Sequence, residues 1–465
     1  MGICFVVCAG HNLSIYLFGE MKFLGKTEKL LFYLLVFLLP LQLRHILHSF
    51  RPQFNEWTSV YLYGTDILIL LILFFWLIRK IKEKGWKIVG FQNIWVEVGL
   101  FLFLLVSGVS LVLSSNFWLS FWSWAKLLEF GLLFLYIKYN FSRQFNLKTF
   151  FGVFIGSACF QSLFAIWQFF AQKSLGLKIF AESPLSPDIS GVAKIVVEGK
   201  KIVRAYGVVP HPNILAAILM LAIFGLAFLF IKNYGQSKKW QRTAYASALV
   251  LISVTLFFTF SRVVTLIGLT FLILWLAVIY LRQREFRRPI IFIIFLLLAI
   301  GSLLLAIYWP YISARYDLAT LGESQAVNLR FFYNQLAWRI IKASPLLGIG
   351  QGNFVWTFTN LGLFENWVYQ PVHNIYLLIA AETGILGLFA FLWFLFKIMR
   401  SVYLERKAIK DKLAFYSFLS IVFFLLAIGF FDHFLWDLQQ GQLMLWIMLG
   451  ILASFSIKGL AKKSL

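Results

Sequence analysis

Charge is scarce in this 465-residue sequence: Asp, Glu, Lys and Arg make up 13% of it, and only 19 residues are acidic. Hydrophobic residues account for 61%, against the roughly 45–50% usual in soluble domains, which excludes a soluble fold. Cysteine is almost missing. Cys4, Cys8 and Cys159 complete the count with no CxxC spacing, so neither a disulfide framework nor a cysteine metal site is expected. No nucleotide motif is present either. The glycine-rich stretch from Pro345 through Gly348, Gly350 and Gly352 to Phe354 lacks the Lys-Ser/Thr of a phosphate loop and follows no strand, so it reads as a tight turn. No internal repeat argues for an inverted-repeat transporter.

What is present is apolar sequence in about twelve runs: Leu30–Leu43, Tyr61–Ile78, Ile94–Val112, Trp118–Ile137, Phe150–Ala171, Pro210–Ile231, Ala244–Phe260, Val263–Leu281, Ile290–Tyr308, His373–Phe396, Leu413–Phe431 and Leu435–Ile457. A bilayer core takes roughly 20 apolar residues per helical crossing, so the runs predict an all-α integral membrane protein forming one polytopic domain over 1–465.

The net charge of +23 is an orientation signal rather than a nucleic-acid footprint, because the cations sit between the runs. With both termini cytoplasmic, the short inner segments gather Lys22, Lys26 and Lys29; Arg79, Lys80, Lys82, Lys84 and Lys87; Lys138, Arg143 and Lys148; Lys232, Lys238, Lys239 and Arg242; Arg282, Arg284, Arg287 and Arg288; Lys397, Arg400, Arg406, Lys407, Lys410 and Lys412; and Lys458, Lys462 and Lys463. These are the majority of the 42 cations, and the opposite orientation reverses the bias. The first twenty residues read as no cleavable signal, and translation starts at Met1 or at Met21, just before a signal-anchor pattern.

Two external loops are long: 172–209, and 309–372 between the ninth and tenth helices. Long structured loops carry function. In the first, Val192–Val197 and Lys201–Tyr206 flank Glu198-Gly199-Lys200, a hairpin pattern that returns Arg204 toward the bilayer surface. In the second, Val327–Ser344 has helical period and stops before Pro345. At ~100° per residue, Asn328, Gln335, Arg339 and Lys342 share a solvated stripe, while Arg330 lies opposite with Asn334, Ala337 and Ile341. Arg330 is therefore a functional candidate or one half of a structural ion pair.

The remaining polar candidates collect on the external side: Arg204, His211 and Asn213 before the sixth run, Ser261-Arg262 between the seventh and eighth, His373-Asn374 opening the tenth, and Asp432-His433 joining the last two. Bland readings stand beside each. Arg262 snorkels to headgroups, His211 starts a helix, Asn213 caps it, and Asp432-His433 is a solvated turn. Lys126 and Glu129, at i and i+3 within the fourth run, form an intramembrane pair of functional or structural meaning, and Asp66 faces the same cavity.

These blocks carry a resemblance. The order Arg204-x-x-Gly207-x-x-x-His211-Pro212-Asn213-x-x-Ala216, Ser261-Arg262, Arg330, Pro345-Leu-Leu-Gly348-x-Gly350-x-Gly352-Asn353-Phe354, and His373-Asn374-x-Tyr376 with Glu382-x-Gly384-x-x-Gly387 is similar to the O-antigen ligase and O-antigen polymerase superfamily. The resemblance runs from about Arg204 to Gly387. It implies a membrane glycosyltransferase of GT-C type acting on the outer face of the bacterial cytoplasmic membrane in surface polysaccharide synthesis. Its donor is then a glycan on undecaprenyl pyrophosphate, its acceptor a glycan or lipid, with no metal and no other cofactor.

By the same resemblance Arg204 and Arg262 contact the pyrophosphate and His373 is the essential loop histidine. The chemistry agrees: a sugar hydroxyl needs a base near neutral pH, and arginines hold phosphate oxygens without losing charge. Arg330 is a further donor-binding candidate, as are His211, Asn213 and Lys126, while Asn374 and Asn353 are candidate sugar contacts. No carboxylate pair of glycosidase character occurs in the external motifs. The acceptor stays open between lipid A core, another repeat unit and a cell-surface polymer or protein. A lipid-linked glycan flippase is the alternative, and it would place its substrate groups near the midplane.

Overall fold

A computed structural model describes residues 23–82, 94–316, 321–359 and 365–457. The expectations for Cys4, Cys8, Met21, Lys22, Lys84, Lys87, Lys458, Lys462 and Lys463 lie outside these residues. Among the described residues, a helix lies on each of the twelve apolar runs: α1 (23–38), α2 (Gly64–Lys82), α3 (Ile94–Ser110), α4 (Phe117–Gln144), α5 (Leu147–Ala171), α6 (Pro212–Asn233), α7 (Lys239–Phe258), α8 (Arg262–Arg282), α9 (Arg287–Ile307), α13 (Ile375–Glu405), α14 (Lys412–Ile428) and α16 (Gln439–Ser454). Seven helices among the described residues are long and apolar enough to cross a membrane by length and composition: α3 with its 3-10 extension to Leu113, α5, α6, α7, α8, α9 with the preceding turn from Arg284, and α13.

Burial separates the centre of the bundle from its rim. The apolar window of α6 is 100% buried and that of α9 only 17%. A helix apolar on all sides is either enclosed by other helices or exposed to lipid, and these two take the two options. Around α6 pack α5, α7, α8 and α14, while α13 lies against α3 and α4 against α16.

The ends of the runs differ from the sequence reading. Leu43 and the Tyr61–Tyr63 segment belong to no helix. Strands β1 (Arg44–Ser49) and β2 (Ser59–Tyr63) form an antiparallel hairpin pairing Arg44 with Tyr63 and Ser49 with Ser59. It is held by an Arg44–Glu56 ion pair and by Arg44 stacked 4.5 Å over Tyr61. The second hairpin, β3 (Lys194–Val197) and β4 (Lys200–Val203), turns at Glu198 and Gly199, both at positive φ. Two residues of positive φ match the right-handed twist of the strands.

Further helices complete the loops: α10 (Trp309–Tyr316), the long α11 (Leu321–Ala343), α12 (Phe354–Thr359) and α15 (Phe434–Asp437). On α11 the residues Tyr333, Ala337, Ile340 and Ile341 are buried, and Asn328, Gln335, Arg339 and Lys342 are exposed. The solvated stripe is the expected one, and Asn334 and Arg330, expected on the opposite side, are exposed as well.

The glycine-rich turn has a structural purpose. Helix α13 breaks at Gly384, whose φ is +73°, and a broken helix leaves amides and carbonyls that need partners. The Pro345–Gly350 segment supplies them. Ile349 N and Gly350 N donate to the carbonyls of Ala381 (3.2 Å) and Glu382 (2.9 Å), while Ile385 N and Leu386 N donate to Pro345 O (2.8 Å) and Leu346 O (3.3 Å). The approach is so close that a Cβ on Gly384 would overlap the Leu346 carbonyl. Two blocks thirty residues apart in sequence are therefore one unit.

Candidate functional site

Three chain segments converge where α6, α8 and α13 begin. The β3–β4 hairpin ends at Val203, and the chain then runs along the end of α7, with Ala205 N donating to Phe258 O at 3.0 Å. This fixes Arg204, which is buried and donates from Nε to Thr259 O at 2.6 Å. Gly207 turns at φ +65°, cradled by Gln168, which both donates to its carbonyl and accepts from its amide at 2.8 Å. His211 then caps α6, its Nδ1 accepting from Asn213 N at 3.2 Å with Pro212 in the first turn.

Asn213 is the junction. Its Oδ1 accepts from Arg204 at 3.0 Å and from Ser261 Oγ at 2.9 Å, and its Nδ2 donates to Asp432 Oδ2 at 2.8 Å. Ser261 and Arg262 are presented by a tight turn in which Phe260 holds φ +47°, a strained value for a bulky side chain. Arg262 donates to the carbonyl of Arg315 on α10, and Arg315 donates back to Phe260 O at 3.5 Å.

His373 lies just before α13, half-buried, with Tyr333 of α11 against one side (ring centroids 6.0 Å) and His433 against another (4.9 Å). Its Nδ1 stands 3.7 Å from Asp432 Oδ1, an ion-pair distance and longer than a hydrogen bond. The other oxygen of Asp432 is held by Asn213, and the His433 amide donates to Oδ1 at 2.9 Å. His433 in turn meets Asp437 at 2.8 Å, and Trp57 Nε1, carried between β1 and β2, donates to Asp437 at 2.9 Å.

The electrostatics separate the two histidines. Burial pushes His373 below its ordinary value, helped by the charges of His433 and Arg330, although Asp432 resists. Burial also works against a charged His433, but Asp437 and Asp432 outweigh it and raise that group. Burial works against ionised Asp432 too, yet the contact with His373 and the surrounding histidines hold it below the usual carboxylate range. Burial, with the positive field of Arg262 and Arg330, brings Arg204 down to about 10, so it stays charged at neutral pH. His211 falls to about 3, chiefly through burial and then through Arg204, and is neutral.

The structure thus brings together Arg204, His211, Asn213, Arg262, Arg330 and His373. Arg330 is exposed at its own position, but it lies on the flank of α11 that carries Tyr333, Ala337 and Ile341, and its charge is felt at Arg204, His373 and His433. Asp432-His433 is no solvated turn, since the two residues are 8% and 5% exposed. Asp437 and Arg315 are what sequence reasoning missed, and Asp432-His433, a candidate there, is not among its expected site residues. The available signal was Asp432-His433-x-x-x-Asp437, an i, i+4 pairing beside a second His.

Three candidates are committed to other contacts. Asn353 is fully enclosed, bonded to Ser115, to Ser120 and to both backbone groups of Asn116, so it braces the start of α4 against the glycine-rich turn. Asn374 uses its oxygen to cap α13 through Tyr376 N and Leu377 N. Lys126 pairs with Asp66 and Glu129 and borders a neighbouring cleft. His373, Asp432 and His433 place ligating atoms within 4.8 Å of one another. Neighbouring guanidinium charge opposes a cation there, and hydrogen bonds account for Asp432 and His433.

Such a site can take a proton at His373 and hold an anion with its arginines. Residues 247–392 match the family model described as O-antigen ligase. The matched segment contains Arg262, Arg330, the glycine-rich turn, His373 and the break in α13, while Arg204, Asn213 and Asp432 reach it by hydrogen bonds or ion pairing from outside and His433 by its ring against that of His373. No curated protein matched the chain.

Proposed function

We propose, supported by the match of residues 247–392 to the O-antigen ligase family model, that this membrane protein transfers a glycan from a polyprenyl pyrophosphate to an acceptor hydroxyl. The observation that carries the reading is the chain Arg204–Asn213–Asp432–His373, which couples an anion-binding arginine to a base. The donor is undecaprenyl-pyrophosphate glycan. The reaction runs at the outer face of a bacterial cytoplasmic membrane, with both termini inside and twelve crossings.

His373 is neutral at pH 7 because burial lowers it, so the ring is a base before substrate arrives. With Nδ1 turned to Asp432, Nε2 takes the acceptor proton. The acceptor oxygen bonds to the anomeric carbon as the bond from that carbon to the phosphate oxygen breaks, and the electron pair leaves with the lipid pyrophosphate. Asp432 stabilises the imidazolium that forms, and Arg204, Arg262 and Arg330 offset the charge on the leaving group. The leaving group supplies the driving force, so no nucleotide is consumed.

The test is reconstitution into vesicles holding labelled undecaprenyl-pyrophosphate glycan, with lipid A core, lipid-linked repeat and peptide acceptors. Glycan covalently joined to one acceptor without nucleotide supports the reading, and the acceptor used separates ligase from polymerase. Donor crossing the bilayer with no transfer to any acceptor overturns it in favour of a flippase.

A further inference from the structure

Next to the histidine pair, on the side of Trp57 and Asp437, a cleft opens between the β1–β2 hairpin, the start of α4, the glycine-rich turn and α15. Its lining is aromatic and amide-rich, including Trp57, Tyr61, Trp122, Trp436 and Gln351. Gln351 is 5% exposed, donates from Nε2 to Ser123 O at 3.1 Å, and leaves its Oε1 with no hydrogen-bond partner. A buried carbonyl without a donor is costly unless a ligand or an ordered water supplies one.

The charges of this cleft are paired, unlike those of the neighbouring site. Glu56 is held by Arg44, Asp437 by His433, and the lining cation Lys126 by Asp66 and Glu129. Arg204, Arg262 and Arg330 do not line it. A pyrophosphate finds no uncommitted cation here and is attracted to the arginines instead. Asp437 is the wall between the two, since it lines the cleft and also holds His433, whose ring is 4.9 Å from that of His373.

We infer that this cleft is the acceptor subsite and that it takes an uncharged glycan, whose sugar faces stack on the aromatic rings and whose hydroxyls bond to Gln351 and the carboxylates. The inference rests on the transferase reading above and adds to it the chemistry of the acceptor. Aromatic side chains offer apolar faces for sugar C–H groups, while amides and carboxylates satisfy hydroxyls. A neutral acceptor also explains why only one half of the site is basic.

The experiment is direct binding to the full chain in nanodiscs, titrating maltotriose, chitotriose and mannotriose as neutral probes and inorganic pyrophosphate as the anionic one. At least one trisaccharide binds, pyrophosphate does not displace it, and Trp122→Ala weakens it about tenfold, a loss of one stacking face. The same variant keeps its affinity for pyrophosphate, which shows that it is folded, and Arg262→Ala gives the reverse pattern. Binding of no trisaccharide, equal binding to Trp122→Ala, or displacement by pyrophosphate each overturns the subsite. Catalysis is not needed for these readouts, so sugar binding without transfer contradicts the proposed function alone, and transfer without sugar binding contradicts the subsite alone.

Discussion

His373 Nδ1 stands 3.7 Å from Oδ1 of Asp432, whose other carboxylate oxygen accepts from Asn213 at 2.8 Å. The carboxylate is anchored before the histidine needs it. Asp432→Asn keeps the shape and removes the charge that stabilises the imidazolium, so kcat falls by about 100-fold or more, within the range of a lost acid–base contribution. The KM for donor stays near the parent value. Steady-state kinetics in proteoliposomes, with kcat and KM resolved separately, measures this, and an unchanged kcat contradicts the role given to Asp432.

The pH dependence follows from the direction of the His373 shift. A base must be neutral, and burial lowers its value below the ordinary 6.5, so transfer is full at pH 7 and declines only as pH falls through the lowered value. In Asp432→Asn the acid limb moves to still lower pH, because the negative carboxylate favours the protonated His373 ring and its loss removes that support. The measurement is kcat/KM against pH for both proteins, with thermal melting at each pH to show that they stay folded.

Arg330 and Arg339 share α11 but occupy different flanks. Arg330 adds to the field at Arg204 and His373, whereas Arg339 belongs to the exposed stripe. Arg330→Ala lowers kcat/KM for donor by about 10- to 100-fold, as expected for losing a bond to a charged group, and Arg339→Ala changes it little. Equal activities in the two variants contradict the orientation of α11 toward the donor.

Gly384→Ala tests the interlock of α13 with the glycine-rich turn. At φ +73° an alanine is strained, and its Cβ would overlap the Leu346 carbonyl, so the cost exceeds the ~1–3 kcal/mol of backbone strain alone. The expected result is a lower melting temperature and poor recovery in detergent. Gly301→Ala, which meets nothing within 4 Å and lies within helix α9, leaves melting near the parent value.

Helix positions were legible because lipid demands long apolar runs, and the twist of β3–β4 was legible in Glu198-Gly199 between β-branched residues. Hairpin β1–β2 was not. Tyr61 and Tyr63 continue the apolar pattern of α2, so composition merges strand with helix, and only pairing to Arg44–Ser49 separates them. Arg204, Arg262, Arg330 and His373 could be chosen as chemistry-bearing groups beside apolar runs. Asp432-His433 was misjudged because two polar residues between runs look solvated, and their burial depends on Asn213 and Asp437 from other turns. Asn353 and Asn374 show the converse, since a motif position can serve the backbone rather than a ligand.

The central claim is that His373 removes the acceptor proton during glycan transfer. The most direct measurement is covalent transfer from labelled undecaprenyl-pyrophosphate glycan by the reconstituted protein and by His373→Ala, side by side, with inorganic pyrophosphate binding measured on both. The account predicts transfer in the parent without nucleotide, a loss of about 100- to 10,000-fold in the variant, and retained pyrophosphate binding. Transfer by His373→Ala at close to the parent rate would contradict it.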